Sequence, residues 1–148
     1  MASPNFRAGV VIVVRHPDLH RILVFERVDA PGSWQLPQGG MNVGEAPLEA
    51  AWRELLEETG LGVDQVVARA EYPDWVAYEW PDDIKASHDG KRIGQVQKWF
   101  MFDALAEDCE PTPDGSEFVA WQWVSPDWAI NHVPAWRRVA YERVLGTL

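Results

Sequence analysis

The chain has 148 residues, which suits one domain with its own hydrophobic core and leaves little room for a second. Its 13 Lys and Arg stand against 23 Asp and Glu, a formal charge of −10. That balance argues against a protein that grips a long nucleic-acid backbone, but leaves open a small nucleotide or one phosphate-rich end, with metal ions supplying positive charge.

Residues 8–14, AGVVIVV, read as a buried strand from their β-branched side chains. The run is too short to span a bilayer. No basic stretch precedes it and Arg15 ends it, so it does not read as a signal peptide. Met1 to Asn5 read as a loose end. A turn at residues 16–18 and a second strand at 21–26 complete an expected hairpin. Residues 28–40, VDAPGSWQLPQGG, read as a Pro/Gly loop.

A helix is expected next, with Pro47 in its first turn and Gly60 at its end. Helical spacing puts Leu48, Trp52, Leu55 and Thr59 on one stripe. A strand over residues 63–72, a loop from Pro73 to Gly94 and a strand over 95–104 follow. Residues 107–116 form an acidic turn region, and 117–124 another strand. Ser125-Pro126-Asp127 resembles a helix start, and residues 134–145 a terminal helix with Trp136, Val139, Ala140 and Val144 inward. The expected fold class is α+β, as one domain over 1–148. Cys109 is the only cysteine, so no intrachain disulfide forms, and a reducing, cytoplasmic setting with no membrane partner is expected. His16, His20, His88 and His132 show no ligand spacing.

The segment RELLEETGL, residues 53–61, carries the chemistry. Glu54, Glu57 and Glu58 share one helix face by their i, i+3 and i, i+4 spacing. From Met41 to Ala68 the only basic residue is Arg53. A solvated acidic face would normally interleave lysine. Two unit charges about 4 Å apart repel by roughly 4 kcal/mol at an effective dielectric near 20. A hard divalent cation reverses that sign, and magnesium shares itself between carboxylates and substrate phosphates. The three glutamates therefore read as a magnesium platform, with Arg53 placed to hold Glu57.

Upstream, Gly39 and Glu45 complete the pattern G-x5-E-x7-R-E-Leu-x-E-E-x-G-Leu over residues 39–61. Its seven fixed identities arise by chance on the order of 10⁻⁸ per start position. This resembles the full signature of the Nudix hydrolases, which cleave a nucleoside diphosphate linked to another group. The resemblance implies an α/β/α sandwich with a mixed sheet, the signature's loop-helix-loop and a C-terminal helix. It implies Mg²⁺ as cofactor, or Mn²⁺, held by Glu54, Glu57, Glu58 and the backbone at Gly39, with Glu45 and Arg53 in support.

FRAGV, WQLPQGG, WVAYEWP, GQVQKWF and EFVAWQWV follow in order and extend the likeness over nearly the whole chain. They are similar to the branch that contains asymmetric diadenosine tetraphosphate hydrolases and bacterial RNA pyrophosphohydrolases. By that likeness Glu117 joins the metal site, Arg7, Arg27 and Lys98 face phosphates, Tyr78 lies beside the substrate and Trp136 stacks a base. The plainer alternatives are solvated strand ends for the cations and simple core for the aromatics. Acidic PDDIK at 81–85 and Val96 depart from the RNA-acting relatives, where lysine and arginine are common. The expected reaction is therefore diadenosine tetraphosphate to ATP and AMP, the alternative being removal of pyrophosphate from RNA 5′ ends. A general nucleotide house-cleaning hydrolase and a non-catalytic nucleotide sensor are the further readings. The complete glutamate set argues against the sensor. Nothing in the sequence sets the oligomeric state.

Overall fold

The computed structural model describes residues 5–87 and 91–148. His88 and the first four residues of the loose N-terminal end lie outside them.

Strand β1 (Phe6–Arg15) forms where the β-branched run stands, and Val10 to Val14 are completely buried. Such a strand needs cover on both faces. β1 runs parallel to β7 (Gly94–Ala104) from Phe6↔Gly94 to Arg15↔Asp103. Arg15 and Asp103 close the far end with an ion pair at 3.0 Å. On the other side β1 takes β2 (Ile22–Arg27) and β4 (Gln38–Gly40), both antiparallel. β2 also pairs β3 (Trp34–Gln35) and β8 (Phe118–Val124). β5 (Val66–Glu71) and β6 (Val76–Glu79) lie antiparallel on β7. The sheet is mixed and eight-stranded.

Helix α1 (Pro47–Thr59) covers one face, where Ala50, Ala51 and Leu55 meet Val10, Ile12, Phe100 and Phe102. Helices α3 (Pro126–His132) and α4 (Ala135–Leu145) cover the other, where Ala129, Tyr141 and Val144 meet Val11, Val13 and Trp99. Alternate residues of β1 thus feed two cores, because successive strand side chains point to opposite faces. Each of those side chains contributes about 1.5–3 kcal/mol by leaving water. This is the expected α/β/α sandwich. Pro47 starts α1, and Gly60 ends it at φ 72°, its N–H donating to the Leu56 carbonyl. The Ser125 hydroxyl caps α3 by accepting the Trp128 N–H at 3.1 Å.

Four details differ from expectation. The 28–40 loop contains β3 and β4, and the 73–94 segment contains β6 and a short helix α2 (Asp82–Ser87). Strands of two to four residues exist only through their pairing partners, so no local periodicity announces them. Leu48 is 41% exposed, and the small Ala50 and Ala51 pack inward instead. The buried stripe of α4 is Arg137, Ala140, Tyr141, Val144 and Leu145, while Val139 is 75% exposed. A charged residue sits where the hydropathy pattern placed solvent. Among the described residues no helix is long and apolar enough to cross a membrane.

The buried Tyr141 hydroxyl accepts the Leu36 N–H at 2.9 Å and ties α4 to the 34–40 segment. Tyr141→Phe should leave that N–H without an acceptor and cost about 1–3 kcal/mol, read from urea unfolding midpoints. An unchanged midpoint would show the bond to be dispensable.

Candidate active site

Arg53 sits at the centre of the signature. Its guanidinium grips Glu45 at 2.8 and 2.9 Å, Glu54 at 2.7 Å and the Gly40 carbonyl at 2.8 Å. Glu57 is a marginal partner at 3.5 Å, and its side chain is 58% exposed. Arg53 therefore positions Glu54 and the glycine loop more firmly than Glu57, the partner expected from i, i+4 spacing. The Arg53 hydrogen bonds, joined by one from the Asn42 N–H, hold the Glu45 carboxyl down at about 2.

Glu58 is 4% exposed and accepts the Gln38 N–H at 3.2 Å. Burial pushes its carboxyl well above the usual carboxylate range, and the Glu117 carboxyl hydrogen-bonded beside it pushes the same way. Glu54 is raised as well, by burial, against the pull of Arg53. Glu54, Glu58 and Glu117 thus form a row of carboxyls close enough to shift one another's titration.

Glu117 reaches the row through the acidic turn. The Thr112 N–H donates to the Thr59 carbonyl at 2.7 Å, and the Asp114 N–H to the Glu58 carbonyl at 3.1 Å. These bonds dock the turn on the end of α1. The Asp114 carboxylate then accepts the N–H groups of Ser116, Glu117 and Phe118 at 3.2, 2.9 and 3.1 Å.

The row is not a closed ligand shell. Among the described residues no three His, Cys, Asp or Glu side chains are arranged to hold an ion as they stand. The donor chemistry nevertheless suits a hard divalent cation, which takes carboxylate and carbonyl oxygens. The glycine loop fits as well: a Cβ on Gly39 would collide with the Glu54 carboxyl, and one on Gly40 with the Arg7 guanidinium. Glycine lets the loop backbone lie against both groups without displacing them.

A cleft of about 630 Å³ adjoins the row, lined by Arg7, Arg27, Gln35, Gln38, Trp136 and Arg137 among others. Gln38 belongs to both places, since its N–H holds Glu58. Arg27 is gripped by Asp29 at 2.7 and 2.9 Å, which raises its pKa, and it also senses Glu117 and Glu58. Arg7, Arg27 and Trp136 thus line one cleft.

Two other expected residues stand apart from the cleft lining. Lys98 shares the sheet face of its partner Val10, opposite Gln95 and Gln97, and donates to the Pro73 carbonyl at 2.9 Å. Glu71 lies 3.6 Å from the same ammonium. Tyr78 stands behind the cleft, hydrogen-bonded to Gln95, with its ring 5.5 Å from that of Trp136. It buttresses Trp136. Arg137 is the residue sequence reasoning missed. It is buried, stacks 4.5 Å over the Trp136 ring and donates to Gln35 at 3.0 Å. Its place beside Trp136 was the only available signal.

A signature helix on one face of a mixed sheet, with a carboxylate row beside a cationic cleft, is the arrangement of a metal-assisted phosphoanhydride hydrolase. The chain belongs to the Nudix hydrolase family: the NUDIX domain matches residues 5–144. It is a pyrophosphohydrolase of that family, whose members generally use divalent cations. It is similar to a protein of Cereibacter sphaeroides named RNA pyrophosphohydrolase, 38% identical over 94% of this chain and 86% of that one. Among solved structures it resembles the E. coli dihydroneopterin triphosphate pyrophosphohydrolase, with TM-score 0.79 at 22% identity, covering 97% of this chain and 99% of that one. It also resembles a C. elegans Ap4A hydrolase, with TM-score 0.71 at 17% identity over 95% and 96% of the two chains. These two likenesses show the fold.

Arg53→Ala should lower kcat/KM by about 10–100-fold, as loss of a residue that orients metal ligands commonly does. A smaller loss would mean that Glu54 keeps its place unaided. Glu58→Gln should remove activity and yet stabilise the metal-free fold. The raised pKa of Glu58 means that its folded-state stability is complete below the unfolded value near 4.5 and is lost as pH rises toward the folded one. In EDTA the Tm gain should therefore vanish below about pH 4.5 and grow with rising pH toward about 10. A pH-independent Tm difference would overturn the burial argument.

Proposed function

We propose that the chain removes pyrophosphate from the 5′-triphosphate end of RNA, using a divalent cation, Mg²⁺ or Mn²⁺. The observation that carries this reading is the 38% identity, over 94% of the chain, to a protein named RNA pyrophosphohydrolase. This reverses the order expected from sequence, where diadenosine tetraphosphate came first. The geometry supports it: a cleft lined by three arginines and the Trp136 ring suits a short polyphosphate followed by a base.

Glu54, Glu57, Glu58 and Glu117 would hold the cation, with the Gly39 backbone beside them. When bound, it supplies charge neutralisation on the phosphates and acidifies a water. The chain's own residues do the rest. Glu58, whose carboxyl burial now pushes upward, would give up its proton to solvent when a cation binds beside it. Arg53 holds Glu54 and the glycine loop in place. Arg7 and Arg27 bind phosphate oxygens. Trp136, braced by Tyr78 and Arg137, offers a face for a base. A carboxylate of the row accepts the proton of the attacking water. Lys98 is proposed for a phosphate on the α1 side of the sheet, away from the cleft.

Hydrolysis of diadenosine tetraphosphate to ATP and AMP is the second reading. Asp83 favours it: this residue lines the cleft with no ion pair to any described residue and opposes a long polyanion. A side-by-side assay decides. With Mg²⁺, kcat/KM should be higher on a short 5′-triphosphate RNA, with pyrophosphate as product. The opposite ranking restores the dinucleotide reading, and no turnover of either substrate overturns both.

Trp136→Ala should reduce kcat/KM by about 5–100-fold, corresponding to about 1–3 kcal/mol of base stacking. Full activity in that variant would place the base elsewhere.

A further inference from the structure

We propose that Gln35 is a positioning residue that aims two cleft-lining arginines, Arg27 and Arg137, without adding negative charge; this rests on the reading of the cleft as the substrate site. Gln35 is completely buried. Its Oε1 accepts Nη1 of Arg137 at 3.0 Å and Nη1 of Arg27 at 3.3 Å. An amide oxygen has two lone pairs, so it can take both donors. The arginines come from β2 and α4, far apart in sequence, and Gln35 is their shared fixed point. Asp29 already holds the other edge of Arg27. Arg137 lies over the face of Trp136, so the same bond also helps set that ring.

The choice of a neutral acceptor is informative. A carboxylate would hold two guanidiniums more strongly. It would also remove one positive charge from a cleft that has to attract a polyphosphate. Glutamine supplies the geometry and adds no negative charge beyond that of Asp29. It does so at a structural cost, because the Gln35 Nε2 is buried with no hydrogen-bond partner among the described residues. A residue selected only for packing would avoid that cost, since a methionine fills similar space with no polar atom to satisfy.

Two variants separate geometry from charge. Gln35→Met should raise KM for 5′-triphosphate RNA about tenfold, through loss of the two charged hydrogen bonds. Its kcat should stay within about twofold, because the chemistry lies at the carboxylates. Gln35→Glu keeps both bonds and should match or exceed the wild-type Tm. It should still raise KM, and it should flatten the salt dependence of the Kd for ATP, used as a polyphosphate probe, because one cation has been neutralised. Unchanged KM and unchanged Kd for ATP in the folded variants would overturn the proposal. If Arg27→Ala and Arg137→Ala also leave KM unchanged in an enzyme that turns over, the cleft is not the substrate site. Gln35's role then falls with it, while the carboxylate assignment stands.

Discussion

Carboxylate crowding around a single guanidinium is the constraint on which this site depends. Three glutamates leave α1 within two turns, Glu45 approaches from the loop and Glu117 from the far turn, and among the described residues Arg53 is the cation that pairs with them. At close range each unpaired pair of negative charges would repel by roughly 4 kcal/mol at an effective dielectric near 20. The fold answers in three ways. Glu45 and Glu54 are paired with Arg53, Glu57 is left in solvent, and Glu58 is buried beside Glu117 where the neutral form is favoured. All three arrangements are tolerable without being tight. Each can give way to a divalent cation, whose two charges outweigh what one arginine supplies.

The sheet converts that local tension into a site. β1 feeds both cores along most of its length, but its first half has Arg7 and Gly9 on the cleft side, in register with Gln95 and Gln97. The thinness of glycine there allows the 38–40 strand to come close enough for the Gln38 N–H to reach Glu58. One wall thus separates the carboxylate row from the cleft, with a short backbone path between the expected chemistry and the expected recognition. Three glutamines, Gln35, Gln38 and Gln95, line the cleft beside its arginines and supply hydrogen bonds without charge. Positive charge is scarce in a chain of net −10, and neutral lining preserves what there is.

Much of this was legible before any fold was drawn. Pro47 and Gly60 bracket α1 because one lacks an N–H and the other tolerates positive φ. The i, i+3, i+4 spacing of the glutamates needs only helical geometry, and the β-branched run of β1 needs only burial. The substrate was less legible: acidic PDDIK and Val96 turned the reading toward a dinucleotide, while the relatives turn it toward an RNA end.

The sequence by itself determined the helix, its carboxylate face, the two long strands and the family, because each rests on residues near one another in the chain. The resemblance placed Glu117 at the metal site, but only the tertiary structure shows how it gets there: the Asp114 turn docks on the end of α1 and brings Glu117 beside Glu58. The tertiary structure decided that Lys98 lies on the sheet face opposite the cleft, where strand alternation and parallel register outweigh any local motif. It placed Arg137 inside, where hydropathy would put it outside, because Gln35 and Trp136 arrive from elsewhere to receive it. Contacts between distant segments have no local signature, because the partner that stabilises each residue is supplied by the fold.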